Sequence, residues 1–240
     1  MMRTLFLTAV AFGLAACSAG RAQSAGPEIA RSFPVPAFDK IEVAGPFAVD
    51  VSTGRQPSVA ARGPSAIVEK MEVVVEDGTL KIRPERRRGM LNGWSSSTRG
   101  TVRVAVSVPM LRAAAIAGSG DMAVDRVAAE SFHASIAGSG GLRLPQVQVG
   151  SLRLEIAGSG DAIAAGRAAA AHYEIAGSGN IRAGQVATDQ ARAEIAGSGN
   201  IDANARSAAR VEIAGSGNVR VTGGARCSVS KAGSGSVQCS

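Results

Sequence analysis

One tetrapeptide, AGSG, recurs along the second half of this 240-residue chain at a nearly constant interval. The copies are 18 to 20 residues apart and begin at Ala117, Ala137, Ala157, Ala176, Ala196, Ala214 and Ala232. Self-similarity at a fixed interval is typical of repeat architectures, in which each repeat is one unit stacked on its neighbours. An interval of about 20 residues is too short for a helical-hairpin repeat, and the leucine and asparagine signature of leucine-rich repeats is missing. The interval therefore predicts an all-β fold, a single-stranded parallel β-helix with one coil per repeat.

Alignment of the repeats produces columns of similar residues, because each coil lies about 4.8 Å above the last. The residues directly before AGSG are Ile116, Ile136, Ile156, Ile175, Ile195 and Ile213, with Lys231 in the last repeat. A second apolar set follows the motif at Val124, Leu144, Ala164, Ala183, Ala203 and Val221. Strand alternation places such columns on one face, which must be the interior. Because aromatic residues make up only 3% of the chain, we expect a narrow bore filled by small and aliphatic side chains.

The glycines of the motif predict a corner between two strands, since glycine tolerates positive φ values where a Cβ would clash. The corner is followed by Asp121 or Asp161 in two repeats and by asparagine in three others. Two GSGD copies resemble part of a calcium-binding nonapeptide repeat, but most coils lack the aspartate and each coil has one such corner instead of two. We therefore expect no calcium site, because oxygen cages need charge on several sides.

Three stretches together resemble a known family. They are PMLRAAAIAGSGD at 109–121, the recurring IAGSGN, and FDKIEVAGPFAVDVSTG at 38–54. This ensemble is similar to the head GIN domain family of "putative auto-transporter adhesins". The resemblance implies a right-handed parallel β-helix in a bacterial envelope protein, with no established enzymatic activity and no catalytic residues to transfer.

The mature chain divides into two regions. Residues 38–109 contain alternating strands and a hairpin signal, EDGTL, and are predicted to form an N-terminal β-strand layer or irregular first coils that cover one end of the helix. Residues 110–240 are predicted to form the repetitive coils.

The first residues are typical of an export signal. Arg3 precedes an apolar run, shorter than a membrane span, that ends LAAC at Cys17. This ending resembles a bacterial lipobox, whose cysteine is acylated; ordinary signal cleavage a few residues later is the alternative. Residues 1–17 are thus predicted to be a signal peptide with a lipobox, and residues 18–37 a flexible tether.

The sequence therefore predicts an exported protein, either an outer membrane lipoprotein or a periplasmic or cell-surface protein. Ser18 after the cysteine favours the outer membrane over retention at the inner membrane. If Cys17 carries lipid, Cys227 and Cys239 remain as one pair, which an oxidising compartment would join in a disulfide. Both of these cysteines fall on inward columns of the last coil.

An outward column of charge precedes the isoleucines. Glu155, Glu174, Glu194 and Glu212 alternate with Arg153, His172, Arg192 and Arg210 two residues earlier. A carboxylate ladder for cation binding or acid–base chemistry is one interpretation, and we favour the other, a solvated ladder of ion pairs. His133 and His172 lie two coils apart, roughly 10 Å, so one metal ion cannot bind both. We expect no metal site and no cofactor.

A separate loop, residues 83–100, breaks the repeat and contains the only tryptophan. Its candidate contact residues are Arg86, Arg87, Arg88, Trp94 and Arg99. Such a loop suits an anionic glycan or an envelope or surface protein through ion pairing and stacking. The alternative is a polar hairpin tip without a partner.

The sequence leaves function between classes. The first is a non-enzymatic envelope module with an adhesive or structural role. The second is a polysaccharide lyase or hydrolase, since β-helices also host those activities, and fold alone cannot choose. A sensor of envelope stress is a third class that no residue discriminates. The net charge of +7 is spread thinly along the chain, so we expect no nucleic-acid partner, and membrane contact only through a lipid anchor.

Overall fold

The computed structural model describes residues 26–85 and 100–240, and 75% of these residues are in β-strands. The elements are β1 (Glu28–Phe33), β2 (Lys40–Ala44), β3 (Phe47–Thr53), β4 (Ser58–Pro64), α1 (Ser65–Val68), β5 (Met71–Glu76), β6 (Thr79–Pro84), β7 (Val102–Val108), β8 (Ala113–Gly118), β9 (Asp121–Val124), β10 (Val127–Gly138), β11 (Gly141–Gly158), β12 (Asp161–Gly177), β13 (Asn180–Gly197), β14 (Asn200–Gly215), β15 (Asn218–Thr222), β16 (Arg226–Ala232) and β17 (Ser236–Cys239). No helix of the described residues is long and apolar enough to cross a membrane.

The strands from β8 onward form a stacked parallel solenoid of about 6 turns with about 20 residues per turn, as the interval predicts. Isoleucine pairs with isoleucine from coil to coil, and the corner glycines pair with each other. The six isoleucines that precede the motif are all buried. The second apolar column is buried as well, so the bore is a continuous packed core. Tyr173 lies fully inside it.

Coils of 18 to 20 residues remain aligned because the differences in length are absorbed only in the part of each coil that follows the glycine corner. Between β11 and β12 the register shifts after Leu144, and between β12 and β13 it shifts after Ile163. The strands that lead into the glycine corner show no shift. A bulge adds or removes residues locally and leaves the rest of the ladder intact. The corner is thus the fixed point of every coil.

Residues 38–109 form irregular first coils, the second of the two predicted arrangements. β2 lies between β6 and β8 and is parallel to both, and β3 lies in the same way between β7 and β9. The coil that comes first in the chain is therefore second in the stack. The predicted EDGTL hairpin is confirmed, with β5 antiparallel to β6 and positive φ at Asp77 and Gly78.

The tether predicted over residues 18–37 differs from the structure in its second half. Residues 28–33 form β1, which pairs antiparallel with β4 along its whole length. Polar and small residues are compatible with an edge strand, because such a strand forms backbone hydrogen bonds on one side only and packs only one of its faces. Composition alone suggested a tether because it does not report backbone pairing. The first half of the predicted tether and the signal segment, residues 1–17, lie outside the described residues.

The last coil, β16 and β17, is the open end of the stack. Cys227 and Cys239 are joined in a disulfide across it. Their columns point inward, but Cys239 is exposed and Val229 is 48% exposed, because no further coil covers them. Lys231 occupies the isoleucine column, and its Nζ donates a hydrogen bond to the carbonyl oxygen of Gly235 at 2.8 Å.

The corner makes a first prediction. Gly197 has φ of +134°, and an added Cβ would collide with the carbonyl oxygen of Gly177 in the coil below. We expect Gly197→Ala to lower the free energy of unfolding by about 2 kcal/mol or more, from backbone strain and the clash together. Urea unfolding followed by circular dichroism measures this. The matched change Ser198→Ala, at the exposed serine of the same corner, should stay within about 0.5 kcal/mol; equal losses for both variants would contradict the corner model.

A second prediction concerns Lys231 at the open end of the stack. Charged residues at inward positions keep sheet edges from pairing with other chains. We expect Lys231→Ile to extend the apolar column to the exposed end and to increase concentration-dependent association relative to wild type. Light scattering after size-exclusion chromatography measures the mass. Lys231→Arg keeps the charge and should behave as wild type; association by this control variant, or none by Lys231→Ile, would show that the lysine does not protect the edge.

Candidate functional site

The candidate contact loop cannot be placed, since Arg86, Arg87, Arg88, Trp94 and Arg99 lie outside the described residues. Cys17 lies outside them too. The described surface instead presents two long faces, one on each side of the glycine corner. The first precedes the corner and the second follows it.

The first face holds the arginine–glutamate ladder, made of His133, Arg153, His172, Arg192 and Arg210 with Glu155, Glu174, Glu194 and Glu212. Parallel in-register strands place each of these residues directly over its counterpart in the next coil. Each ladder arginine contacts the glutamate two residues along its own strand. Arg153 Nη2 also reaches Glu174 Oε2 of the next coil at 3.2 Å, and Arg192 Nη2 reaches Glu212 Oε1 at 3.5 Å.

The histidines complete the ladder rather than form a site of their own. His133 Nε2 lies 3.2 Å from Glu155 Oε2. Arg153 Nη1 lies 2.8 Å from Nδ1 of His172, which must accept this hydrogen bond because a guanidinium can only donate. Nε2 of His172 lies 3.4 Å from Glu194 Oε1, but the geometry makes no hydrogen bond and the atom is buried.

These contacts shift three pKa values. Partial burial acts to raise the pKa of Glu155, but hydrogen bonds from Arg153 and His133 outweigh it and hold that pKa below its usual value. The hydrogen bond from Arg210 lowers the pKa of Glu212. Burial, with Arg153 adding to it, lowers the pKa of His172. The contacts of the ladder therefore favour the charged forms of Glu155 and Glu212 and the neutral form of His172.

His172, Glu174 and Glu194 each offer a ligand atom within 4.8 Å of one another, which resembles a metal centre. The donor set does not fit an ion well. A metal on Nε2 would require a proton on Nδ1, where it would face the donating guanidinium of Arg153. The carboxylates of Glu174 and Glu194 already contact Arg153 and Arg192. The cluster fits the ion-pair interpretation of the ladder.

The residues after the corner form a chain of side-chain hydrogen bonds along the solenoid. Asn180 Nδ2 donates to Asp161 Oδ1 at 2.8 Å, Asn200 to Asn180 at 2.8 Å, and Asn218 to Asn200 at 2.9 Å. Ser236 donates to Asn218 at 2.6 Å and starts the chain. Every donor points toward the Asp161 carboxylate, whose charge strengthens such bonds. The side-chain oxygen of each corner residue in this chain thus accepts a hydrogen bond from the corner residue of the next coil.

The second face contains residues that the sequence reading missed. One outward column runs through successive coils as Arg143, Ile163, Arg182, Asp202 and Arg220. Three adjoining surface depressions share Ile163, and we call them together the arginine groove. Among the described residues, no carboxylate oxygen lies within 4.0 Å of a nitrogen of these three arginines. The arginine at every second position of this column, read across the repeats, was the available signal.

Comparisons with known proteins agree on the fold. Residues 37–225 match the model of the family described as "Putative auto-transporter adhesin, head GIN domain". A "putative adhesin" from Bacteroides fragilis NCTC 9343 has 23% identity and a TM-score of 0.79, over 89% of this chain and 97% of that chain. A "Putative lipid binding protein" from Parabacteroides distasonis ATCC 8503 has 25% identity and a TM-score of 0.73, over 90% and 97%. A "putative adhesin" from the same strain has 17% identity and a TM-score of 0.68, over 90% and 98%. No curated protein matches the chain.

The ladder predicts two steps of acid destabilisation. The depressed pKa of His172 means that the unfolded chain binds a proton first, so stability falls as pH drops below about 6.5. The depressed pKa values of Glu155 and Glu212 preserve stability above about 4.5, and this contribution is lost as pH falls through the folded values. Urea unfolding at intervals from pH 8 to pH 3 measures both steps.

Single substitutions separate the two steps. His172→Gln should remove the upper step, while Glu155→Gln should weaken the lower step and leave the upper one in place. An upper step that persists in His172→Gln would assign it to another group.

Proposed function

The chain belongs to the head GIN domain family, and on that premise we propose that it is a non-enzymatic adhesive or structural module of the bacterial cell envelope. Its role is to present long, repetitive surfaces on a rigid rod. The observation that carries the proposal is the continuous packed core with two outward faces of repeated residues beside it. Such an object offers extended faces to another surface instead of a pocket to a small molecule.

The packed interior supports binding of a partner on the outer surface of the coils and not inside them. The inward columns of successive coils are in van der Waals contact, and the bulky Tyr173 fills the middle of the bore. Interiors packed in this way leave no void for a ligand. One structural neighbour is called a "Putative lipid binding protein", but here an acyl chain would have to lie on the outside of the coils.

The ladder chemistry supports a non-enzymatic role. Hydrolysis of a glycosidic bond uses two carboxyl groups in different protonation states on either side of it. The ladder carboxylates face arginine or histidine partners, and these contacts lower the pKa values of Glu155 and Glu212 instead of raising one of them. A polysaccharide lyase or hydrolase is therefore the less favoured function.

The location is part of the proposal. An apolar leader that ends at a lipobox-like Cys17 suits an outer membrane lipoprotein or another exported surface protein. A single pair of cysteines in the last coil suits an oxidising compartment.

The proposed function predicts that adhesion depends on display of the protein at the cell surface. Cells that export the wild-type chain should retain it in the outer membrane fraction and bind envelope polysaccharide or host-type surfaces more strongly than cells without it. Cys17→Ser should release the protein from that fraction and abolish the gain in adhesion. Fractionation with antibody detection and a cell-binding assay measure the two effects.

The control is Cys17→Ser protein immobilised through its C-terminus on beads, which restores display without lipid and should restore binding. Turnover of a bound glycan, seen as new reducing ends or unsaturated sugars, would establish an enzyme instead. Failure of both cells and beads to bind any surface would overturn the adhesive role.

A further inference from the structure

The last coil of the stack, which we call the terminal coil, consists of β16 and β17 and spans residues 226–239. It is packed from one side only. Its inward residues Cys227 and Val237 are partly buried, and Val229 is 48% exposed. The ion-pair ladder stops at Glu212, because both of its columns continue as serine in the terminal coil. Apolar packing and ion pairs therefore hold the terminal coil less firmly than they hold the coils beneath it.

The disulfide is the covalent link that closes this coil. Cys227 lies above Ala209 of β14, and Cys239 lies above Val221 of β15, so the bond joins β16 to β17 across the open end of the bore. A cross-link between residues 12 positions apart removes conformations from the opened coil and favours the closed coil by roughly a hundredfold. Once the bond is reduced, only strand pairing and the remaining packing hold the terminal coil.

Lys231 belongs to the terminal coil and moves with it. Its Nζ donates to the carbonyl oxygen of Gly235 in the same coil, so this contact is kept when the coil opens. The lysine puts a charge at the inward isoleucine position, where it discourages pairing with another chain. Ile213, directly below it, is 3% exposed and would become the end of the apolar column. The disulfide thus keeps in place the charge that protects the edge.

The edge that release uncovers is complementary to itself. Along residues 208–214, β14 would present free backbone groups beside the now buried side chains of Val211 and Ile213. When two copies pair antiparallel about Val211, Arg210 lies opposite Glu212 of the partner subunit, and the two-fold axis repeats this contact. Opposite charges in directly opposed positions stabilise paired strands. The occupant that fits this edge is a second copy of the chain.

Release requires a dithiol as reductant. One thiolate of the dithiol attacks the sulfur of the exposed Cys239, and Cys227 leaves as a thiolate that takes up a proton. The second thiolate of the dithiol then displaces Cys239 from the mixed disulfide, and Cys239 also takes up a proton. The dithiol becomes a disulfide, and its two electrons and two protons end on the two cysteines. An oxidising compartment keeps the coil closed.

We propose that the Cys227–Cys239 disulfide is a redox-controlled clamp. Its reduction by a dithiol releases the terminal coil, and two released molecules join end to end through β14. Pairing of two solenoids is thereby conditional on a reductant. This device is separate from the proposed adhesive function, which the oxidised protein performs alone.

Hydrogen exchange measured by mass spectrometry tests the release. The exported wild-type protein is compared with and without dithiothreitol, at concentrations low enough to keep it monomeric. Reduction should accelerate exchange of residues 226–239 by at least about tenfold and leave residues 161–197 unchanged. The double variant Cys227→Ser, Cys239→Ser should exchange like the reduced protein whether or not the dithiol is present. Unchanged exchange of the terminal coil, or equal acceleration in every coil, would overturn the clamp.

Sedimentation equilibrium tests the second copy. Reduced protein, kept in dithiothreitol to prevent intermolecular disulfides, should dimerise with increasing concentration, and oxidised protein should stay monomeric. In the reduced protein, Glu212→Arg opposes like charges and should weaken the dimer about fivefold or more, while Arg210→Glu combined with Glu212→Arg should restore it. The matched control Glu194→Arg, one coil away, should change dimerisation by less than about twofold. Released protein that stays monomeric, or equal weakening by Glu212→Arg and Glu194→Arg, would overturn this pairing.

Discussion

The structure depends on one contact, in which the backbone of each corner rests on the corner below. The amide of Ser198 donates to the carbonyl oxygen of Gly177 at 2.8 Å, and the same bond recurs from coil to coil at 2.8–2.9 Å. Glycine allows this approach because a Cβ would occupy the place of the carbonyl. Once the corners are stacked, the strands on either side must be in register. The isoleucine column, the ion-pair ladder and the asparagine chain all follow from that alignment.

Much of this could be predicted from the sequence, because in-register stacking turns a linear interval into a column. The bore, the ladder and the coil length were all readable in this way. The order of the first coils was not, since the placement of β2 between β6 and β8 depends on long-range pairing with no repeat to mark it. Edge strand β1 was missed for the same reason. The arginine groove was missed because its column mixes Arg143, Ile163 and Asp202, and no single residue type marks it.

Arginine side chains are in different environments on the two faces, although the backbone is regular parallel β-structure on both. On the ladder, arginine lies two residues before glutamate on a shared strand, and neutralisation is local. In the groove, the neighbours of the three arginines within the column are Ala123, Ile163, Asp202 and Gln238, and the arginines are exposed to solvent. Exposed ion pairs contribute little to stability. The ladder is therefore best understood as a surface whose arginines are paired with carboxylates of the same chain.

The confinement of register shifts to one side of each coil bears on how such chains change over time. Loss or gain of a residue after Leu144 or Ile163 is absorbed where it occurs, and the corner above is undisturbed. Duplication or deletion of a whole winding would likewise meet a neighbour with the same shape. The length of the solenoid can thus vary by whole coils without the design of a new core.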